Sequence, residues 1–251
     1  MPNKIKFQRF SWLIVLAAMI AIWEFLARYT QVPRALFPSP QTTLVAFIEI
    51  SRGDLWNAVA LSLFRCFTGF FIGTSLGIAI GVTMGLNETL YNALSPLLNA
   101  LYAIPSVALI PIFMVWLGLT NSTIIASVSL ASFINVVMVS ATGIKNVPQT
   151  VIKTAKAMGA RGAQLVLNIY LPLSLSSIFT GMKLGIEHAW KTSIAAEMLI
   201  GIKGLGMSLS EAEGLLRVDI LFATVVLIGT FGWFFERILT HVEKRLVKHV
   251  P

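Results

Sequence analysis

Charged side chains inside apolar runs are the residues of this sequence best suited to chemistry. Arg65 stands in one such run, and Lys183, Glu187 and Lys191 recur every fourth residue in another. Residues four apart share a helix face, and Glu187 and Lys191 have the order and spacing of a helical ion pair. A charge in hydrocarbon costs about 3 kcal/mol, so we expect these groups to face protein or water. They predict a polar path suited to anions, an internal ion pair that fixes helix register, or, for Lys183, a side chain that reaches to the membrane interface.

Other chemical signals are weak. The sequence has no G-x-x-x-x-G-K-[ST] phosphate loop and no H-E-x-x-H zinc motif. Its histidines, His188, His241 and His249, lack the spacing of metal ligands. Glu24 and Glu197 lie near the ends of apolar runs, where we expect them at an interface. We therefore predict no catalytic residue, no metal site and no cofactor bound by this chain.

The elements that must position these groups are membrane-spanning helices. Hydrophobic residues make up 56% of the 251, charged residues only 12%, and the mean hydropathy is +0.81. A soluble domain is roughly a quarter charged, whereas these apolar runs approach the ~20 residues that span a bilayer. The sequence predicts an all-α membrane protein, a single transmembrane domain over residues 1–251. We predict six spans: 12–27, 58–86, 94–117, 123–144, 178–200 and 220–239, the third kinked by Pro96, Pro105 and Pro111.

The distribution of lysine and arginine predicts the orientation. With the N-terminus inside, eleven of the 19 fall in or beside inner segments, five fall outside and three lie within spans. Because cytoplasmic loops carry an excess of these residues, this bias predicts that both termini are cytoplasmic.

A row of glycines marks the second span. Gly69, Gly73, Gly77, Gly81 and Gly85 recur every four residues. Glycine at this spacing lets another helix backbone come close, which is how helices associate in a membrane. The row therefore predicts tight packing, either against another span of this chain or against a second copy.

The inner segment 145–172 is basic and contains no acidic residue. Ala155, Ala157 and Met158 favour helix, Gly159 allows a sharp turn, and Pro172 marks the start of the next membrane helix. The segment predicts a short helix over 153–159, a turn and a second helix outside the bilayer. The short helix has the form of a docking element, formed by Lys153, Thr154, Ala155, Lys156, Ala157, Met158, Gly159 and Ala160, with Ile169, Leu171 and Pro172 after the turn.

This segment resembles the signature of bacterial ABC importer permeases, E-A-A-x-x-x-G, nine residues, then I-x-L-P. The sequence matches it at Gly159, Ile169, Leu171 and Pro172, and it departs where Lys153-Thr154-Ala155 replaces Glu-Ala-Ala. Residues 37–40, the run around Arg65, and residues 103–118 and 195–198 are similar to the nitrate, sulfonate, taurine and bicarbonate branch. The likeness covers most of the chain, with a permease core over about 58–245.

The resemblance implies a type I importer bundle with residues 145–172 as its cytoplasmic coupling loop. It implies a non-catalytic subunit in a bacterial plasma membrane that moves a small anion such as nitrate, bicarbonate, taurine or an aliphatic sulfonate. The implied partners are membrane lipids, a second permease copy in a homodimer, cytoplasmic ATPase subunits that bind ATP and Mg, and an extracytoplasmic solute-binding protein. Nucleic acid is not among them.

Two other functions compete with this interpretation. An ion-coupled secondary transporter would use Lys183, Glu187 and Lys191 as a relay. It predicts an inverted repeat, which the sequence does not show, and it leaves the spacing from Gly159 to Pro172 unexplained. A membrane-embedded enzyme needs a converging set of catalytic groups, and none is visible.

We predict that residue 160 faces the cytoplasm and residue 203 the opposite side. In a Cys66→Ser background, an impermeant thiol reagent added from outside should label Lys203→Cys and spare Ala160→Cys until the cells are opened. Labelling of Ala160→Cys alone would reverse the orientation.

Overall fold

A computed structural model of the chain describes residues 2–29, 33 and 36–247, with side chains described from residue 13 onward. Every regular element in these ranges is helical. The helices are α1 (Pro2–Tyr29), α2 (Pro40–Ser51), α3 (Leu55–Leu86), α4 (Glu88–Ala103), a 3-10 turn (Ser106–Leu109), α5 (Ile110–Leu117), α6 (Asn121–Lys145), α7 (Gln149–Ala157), α8 (Ala163–Leu165), a π-helix (Val166–Tyr170), α9 (Leu171–Ile200), α10 (Leu205–Gly214) and α11 (Val218–Val247).

The chain divides into two compact units, one formed by Met1–Asn57 with Ser208–Ile228, the other by Ala58–Met207 with Gly229–Pro251. In the first unit, residues 37–40 hold the end of α1 near α2. The Pro38 carbonyl accepts a hydrogen bond from Trp23 Nε1 at 3.0 Å, and Ser39 caps α2. Phe37 and Trp23 both contact the Phe222 ring, with centroids 5.9 and 5.8 Å apart. Residues 37–40 therefore serve as a packing element of the first unit.

The glycine row of α3 packs against α6, a span of the same chain. A methyl group built on Gly69 would lie 2.6 Å from Val128 Cγ1, and one on Gly77 would lie 2.9 Å from Val136 Cβ. The contacts pair residues four apart on both helices: Gly69 with Val128, Gly73 with Ser132, Gly77 with Val136, Gly81 with Ser140 and Gly85 with Ile144. The predicted close packing is confirmed, and its partner is α6.

The order of these pairs shows that α3 and α6 run parallel, since residue numbers rise together along both helices. Two parallel spans need a connection that itself crosses the membrane. The chain between them, Glu88–Ala103 followed by Ser106–Leu117, bends by 92°. This bent pair is therefore a broken span that carries the chain across, because a re-entrant loop would leave α3 and α6 antiparallel.

The break differs from the kinked helix predicted over 94–117. Pro105 follows Ile104, which is extended at ψ 122°, because a proline disfavours helical geometry in the residue before it. Pro96 stays inside α4, and Pro111 lies in the first turn of α5, where a missing N–H costs nothing. Only one of the three prolines thus marks the break.

Helices α9 and α11 complete the second unit. Gly181 of α9 lies against Val139 of α6, and Gly143 against Ser177, so α9 runs antiparallel to α6. Trp190 of α9 packs edge-on against Phe235 of α11, with centroids 5.2 Å apart. Lys183 of α9 also pairs with Glu243 of α11, so α11 runs antiparallel to α9. The segment after α6 and the last turns of α11 therefore lie at the same end, as the predicted topology requires.

The predicted spans correspond to helices that are longer than the apolar runs. Within the described residues, four helices are long and apolar enough to cross a membrane, and the bent pair makes a fifth: Leu55–Leu86, Asn121–Lys145, Ala163–Ile200, Val218–Val247 and Glu88–Ala103 with Ser106–Leu117. The first predicted span, 12–27, is helical within α1. Arg34, Lys248 and His249 lie outside the described residues, as does the Trp12 side chain.

We expect Gly77→Leu to destabilise the chain by about 1–3 kcal/mol or more, because overpacking forces α3 away from Val136. Thermal unfolding of the purified protein in nanodiscs measures the loss. Gly229→Leu is the matched control, since nothing lies within 4 Å of a methyl group at that exposed position of α11. Equal stability of the two variants would contradict the packing assigned to the glycine row.

Candidate functional site

The exposed helix α7 begins at Gln149, four residues before the predicted start, because Pro148 at its N-cap position suits the first turn. Residues 153–157 are helical as predicted, whereas Met158 caps the helix and Gly159 lies beyond it. The predicted helix over 153–159 is therefore correct in its middle and wrong at both ends.

The turn at Gly159 is a Schellman motif. The Ala160 N–H donates to the Ala155 carbonyl, and the Gly159 N–H donates to the Lys156 carbonyl, both at 3.0 Å. Gly159 has φ +94°, which a residue with a side chain rarely adopts, while nothing lies within 4 Å of a methyl group built there. Glycine is required at this position because of its backbone conformation and not because space is short.

One face of α7 is packed and the other is exposed. Ile152 and Ala155 are buried in a cluster with Val147 and Leu165, against which Ala160, Ile169 and Tyr170 pack. Lys153, Thr154, Lys156 and Ala157 are exposed, and the Met158 side chain is 84% exposed. The segment thus presents a basic face that ends in an apolar tip.

The second helix of this segment is continuous with the membrane span. Val166–Tyr170 forms a π-helix that runs into α9 at Leu171, with Pro172 in the first turn of α9. Pro172 has no N–H and its ring crowds the preceding turn, and the wider π turn accommodates it. The prediction that Pro172 marks the start of the span is confirmed, but a separate second helix was wrong. The contacts of Ile169 and Tyr170 with the α7 cluster join α7 directly to α9.

A buried ion pair lies at the opposite end of the second unit. Arg65 Nη1 donates to Glu197 Oε1 at 2.7 Å, and the two side chains are 2% and 0% exposed. Arg65 also donates to the Lys203 carbonyl at 2.7 Å and to Asn121 Oδ1 at 2.8 Å. Glu197 is therefore buried inside the protein near the end of α9, with Arg65 as its partner. The pair connects α3 and α9 with the start of α6.

The glycine-rich stretch after α9 encloses the Glu197 carboxylate. Gly201 ends α9 with φ +72°, and the Gly206 N–H donates to Glu197 Oε2 at 3.0 Å. A methyl group on Gly204 would collide with the Glu197 carboxylate. Ser62 completes the shell, because its hydroxyl donates to Glu197 Oε2 at 2.7 Å and accepts from the Leu205 N–H at 2.9 Å.

The three charges of α9 do not act as a set. Lys183 Nζ donates to Glu243 Oε2 of α11 at 2.8 Å, in a pair that is 23% and 15% exposed. Lys191 and Glu187 are 4.0 Å apart and largely exposed. Lys191 also lines a cavity beside the break between α4 and α5. Lys183 thus forms an ion pair with α11, whereas Lys191 is a charged residue on an open groove.

One sequence pattern known from enzymes occurs in the chain. Residues 73–77 read G-x-S-x-G, but they lie inside α3, whereas a nucleophile elbow needs a turn from strand to helix. Within the described ranges, no group of three or more His, Cys, Asp or Glu side chains could hold a metal ion.

Sequence reasoning missed the partners of the charged residues. Ser62 and Asn121 contact the ion pair, and Glu243 pairs with Lys183 from 60 residues away. Nothing in the local pattern marks these residues. The Arg65 to Glu197 pairing could have been suspected, because a lone arginine and a lone glutamate in apolar runs each need an opposite charge.

Residues 73–248 match the family described as "Binding-protein-dependent transport system inner membrane component". The taurine transport system permease protein TauC of Escherichia coli (strain K12) is 30% identical over 92% of this chain and 86% of its own length. The aliphatic sulfonates transport permease protein SsuC of the same strain is 31% identical over 85% of this chain and 82% of its own. The riboflavin transport system permease protein RibX of Chloroflexus aurantiacus is 31% identical over 96% and 95%.

The fold is similar to a chain in the structure of the MetNI methionine ABC transporter in an inward-facing conformation. The TM-score is 0.66 at 20% identity, and the match covers 78% of this chain and 96% of the other. This similarity of fold agrees with the all-helical architecture that the sequence predicts.

We expect Arg65→Met to destabilise the protein by about 3–5 kcal/mol, because it leaves the Glu197 carboxylate buried without a cation. Arg65→Met combined with Glu197→Gln should recover part of this loss. Lys183→Met, which breaks a partly exposed pair, is the control and should cost less. Thermal unfolding in nanodiscs gives the comparison, and a double variant less stable than Arg65→Met would contradict the pairing.

Proposed function

Since this chain belongs to the family of binding-protein-dependent transport system inner membrane components, we propose that it is the transmembrane permease subunit of an ATP-driven ABC importer for a small anion. In this proposal the chain forms part of the translocation pathway and carries out no covalent chemistry. ATP and Mg bind to partner ATPase subunits, and the whole of residues 1–251 acts as one permease domain.

The observation that carries the proposal is the rigid connection between α7 and α9. The exposed helix ends in a Schellman motif, and Ala160 of that motif packs against the same buried cluster as Ile169 and Tyr170, the residues that lead into the span. A permease can respond to an ATPase only through an element that touches it. Since α7 packs on the residues that lead into α9, a force on its exposed face is passed to the start of that span.

The exposed chemistry of α7 favours a protein partner. Met158 is a flexible apolar side chain that is 84% exposed, and methionine adapts to irregular protein surfaces. Lys153 and Lys156 beside it add positive charge, so an acidic groove on the ATPase is the complementary surface. The departure from the usual Glu-Ala-Ala therefore changes the charge of the docking face while preserving its geometry.

The proposed assembly contains two copies of this permease, two cytoplasmic ATPase subunits and an extracytoplasmic solute-binding protein. We place it in a bacterial plasma membrane with both termini and residues 145–172 in the cytoplasm. The excess of lysine and arginine at that end supports this orientation.

For the cargo we propose taurine or another small sulfonate, because relatives named for taurine and aliphatic sulfonates cover most of this chain. A relative named for riboflavin is as similar, so the cargo needs its own test. Calorimetry of the partner solute-binding protein with taurine, ethanesulfonate, nitrate and riboflavin should give heat for the sulfonates. Binding of riboflavin alone would overturn the anion assignment.

We expect Gly159→Val to uncouple transport while leaving insertion in the membrane intact. A side chain at φ +94° costs about 1 kcal/mol or more, and the strain is relieved most easily by undoing the end of α7. The measurement is co-purification of the ATPase, followed by cargo-stimulated ATP hydrolysis in reconstituted membranes.

Gly159→Asn is the matched control, because asparagine tolerates left-handed backbone at the end of a helix. It should retain more stimulation than Gly159→Val. Full stimulation with Gly159→Val would overturn the coupling role of this turn.

A further inference from the structure

Two adjoining cavities lie on the second unit beside the broken span. One, of about 320 Å³, lies between α6, α9 and the end of α4, and the other, of about 340 Å³, lies at the break itself. Tyr102 and Asn135 line both. Their sizes fall at the lower end of the range for small-molecule sites, roughly 300–1,000 Å³.

The break shows what this groove faces. Tyr102 and Ile104 are 57% and 41% exposed, and Ile104 and Pro105 belong to no helix. Non-helical backbone at membrane depth occurs where it is covered by protein or lines water, because lipid cannot satisfy its polar groups. The groove therefore faces an aqueous pathway or a second copy, and not hydrocarbon.

The charged and polar groups of the groove favour an anion. Lys191 and His188 line the cavity at the break, together with Asn135, Ser106 and Thr192. Asn135 is buried halfway along α6 and holds its orientation by donating to the Ala131 carbonyl at 2.9 Å. Each of these five side chains carries a hydrogen-bond donor, and the described residues lining both cavities include no carboxylate.

Lys191 is the only lysine or arginine among these lining residues. It stands nine residues before the end of α9, about 14 Å along the helix axis. Its side chain is 72% exposed, and an ammonium at such depth needs water or a counter-ion. Glu187 lies 4.0 Å away on the same helix, but an exposed pair of this kind is weak, so Lys191 remains available to a passing anion.

We propose that this groove is a binding site of the permease itself for the oxyanion head group of its cargo, a sulfonate first of all. The proposal rests on the proposed function. Lys191 supplies the charge, and Asn135 and the Ser106–Thr192 hydroxyl pair, joined at 2.8 Å, supply neutral donors. Partial neutralisation by Glu187 keeps binding weak, which suits a site that cargo must enter and leave.

The test measures the electrostatic potential in the groove. Ile104→Cys, in a Cys66→Ser background of the full-length permease in nanodiscs, reports on the cavity without altering its donors, and Val107→Cys is a second reporter. The rate ratio of an anionic to a cationic methanethiosulfonate reagent should fall roughly threefold or more with Lys191→Gln, since unit charges several ångströms apart in water interact by roughly the thermal energy. Glu187→Gln should raise the ratio.

Lys183→Gln is the matched control, because it removes a lysine of the same helix that pairs with Glu243 and does not line the groove. It should leave the ratio unchanged. Ethanesulfonate should slow labelling when Lys191 is present, and neutral dimethyl sulfone should not. An unreactive reporter, equal effects of Lys183→Gln and Lys191→Gln, or no protection by ethanesulfonate would overturn the site.

Failure of the site is distinguishable from failure of the proposed function. The wild-type complex could show cargo-stimulated ATP hydrolysis while Lys191→Gln leaves the reagent rate ratio unchanged. The importer assignment would then stand, and the proposed binding site would be wrong. If no ATPase associates with the wild-type permease, the importer assignment falls, and with it the basis for cargo at this groove.

Discussion

The close packing of α3 on α6 is the constraint on which the rest of the membrane domain depends. Five glycines at four-residue intervals meet five residues of α6 at the same intervals, so both helices present matching rows and run in the same direction. Parallel neighbours leave the chain no short connection. The intervening residues must cross the membrane, and they do so as a helix broken at Pro105. The break then exposes non-helical backbone that only water or protein can satisfy, which places a polar groove beside it. One packing interaction thereby determines the topology and the position of the candidate pathway.

The two ends of the second unit are built on different principles. At one end, Arg65 and Glu197 are sealed among Ser62, Asn121 and the backbone of the segment after α9. Such a pair contributes little net stability but strongly penalises any arrangement that separates its members, so this end is fixed. At the other end, α7 is exposed and attached through a small apolar cluster. One end of the unit is thus held by a buried ion pair, while the other presents an exposed helix.

Much of this structure was predictable from the sequence where the pattern is local. The period of the glycine row gave its packing, the Gly159 to Pro172 spacing gave the turn and the start of α9, and the same motif gave the family, which the match over 73–248 confirms. The failures concern pairings between distant residues. The pairing of Glu197 with Arg65 was not predicted, because the neighbours of Glu197 in sequence say nothing of Arg65. Lys183 pairs with Glu243 of α11 and not with its neighbours on α9. The sequence also failed to predict that the helix continues through Val166–Tyr170. A proline usually marks a helix boundary, and no residue type identifies the π turn that accommodates Pro172 here.

The π-helix Val166–Tyr170 joins α9 without a break. The number of helical residues before Leu171 therefore determines which side chains of α9 face the groove and which face α11. Each residue added to a helix rotates everything beyond it by about 100°. An insertion between the α7 cluster and Leu171 would carry Lys191 away from the groove and Lys183 away from Glu243 in a single step, although neither residue had changed. Substitutions in this stretch should therefore be tolerated far better than insertions or deletions. The number of helical residues from Ala163 to Leu171 therefore sets the rotation of the span relative to the α7 cluster.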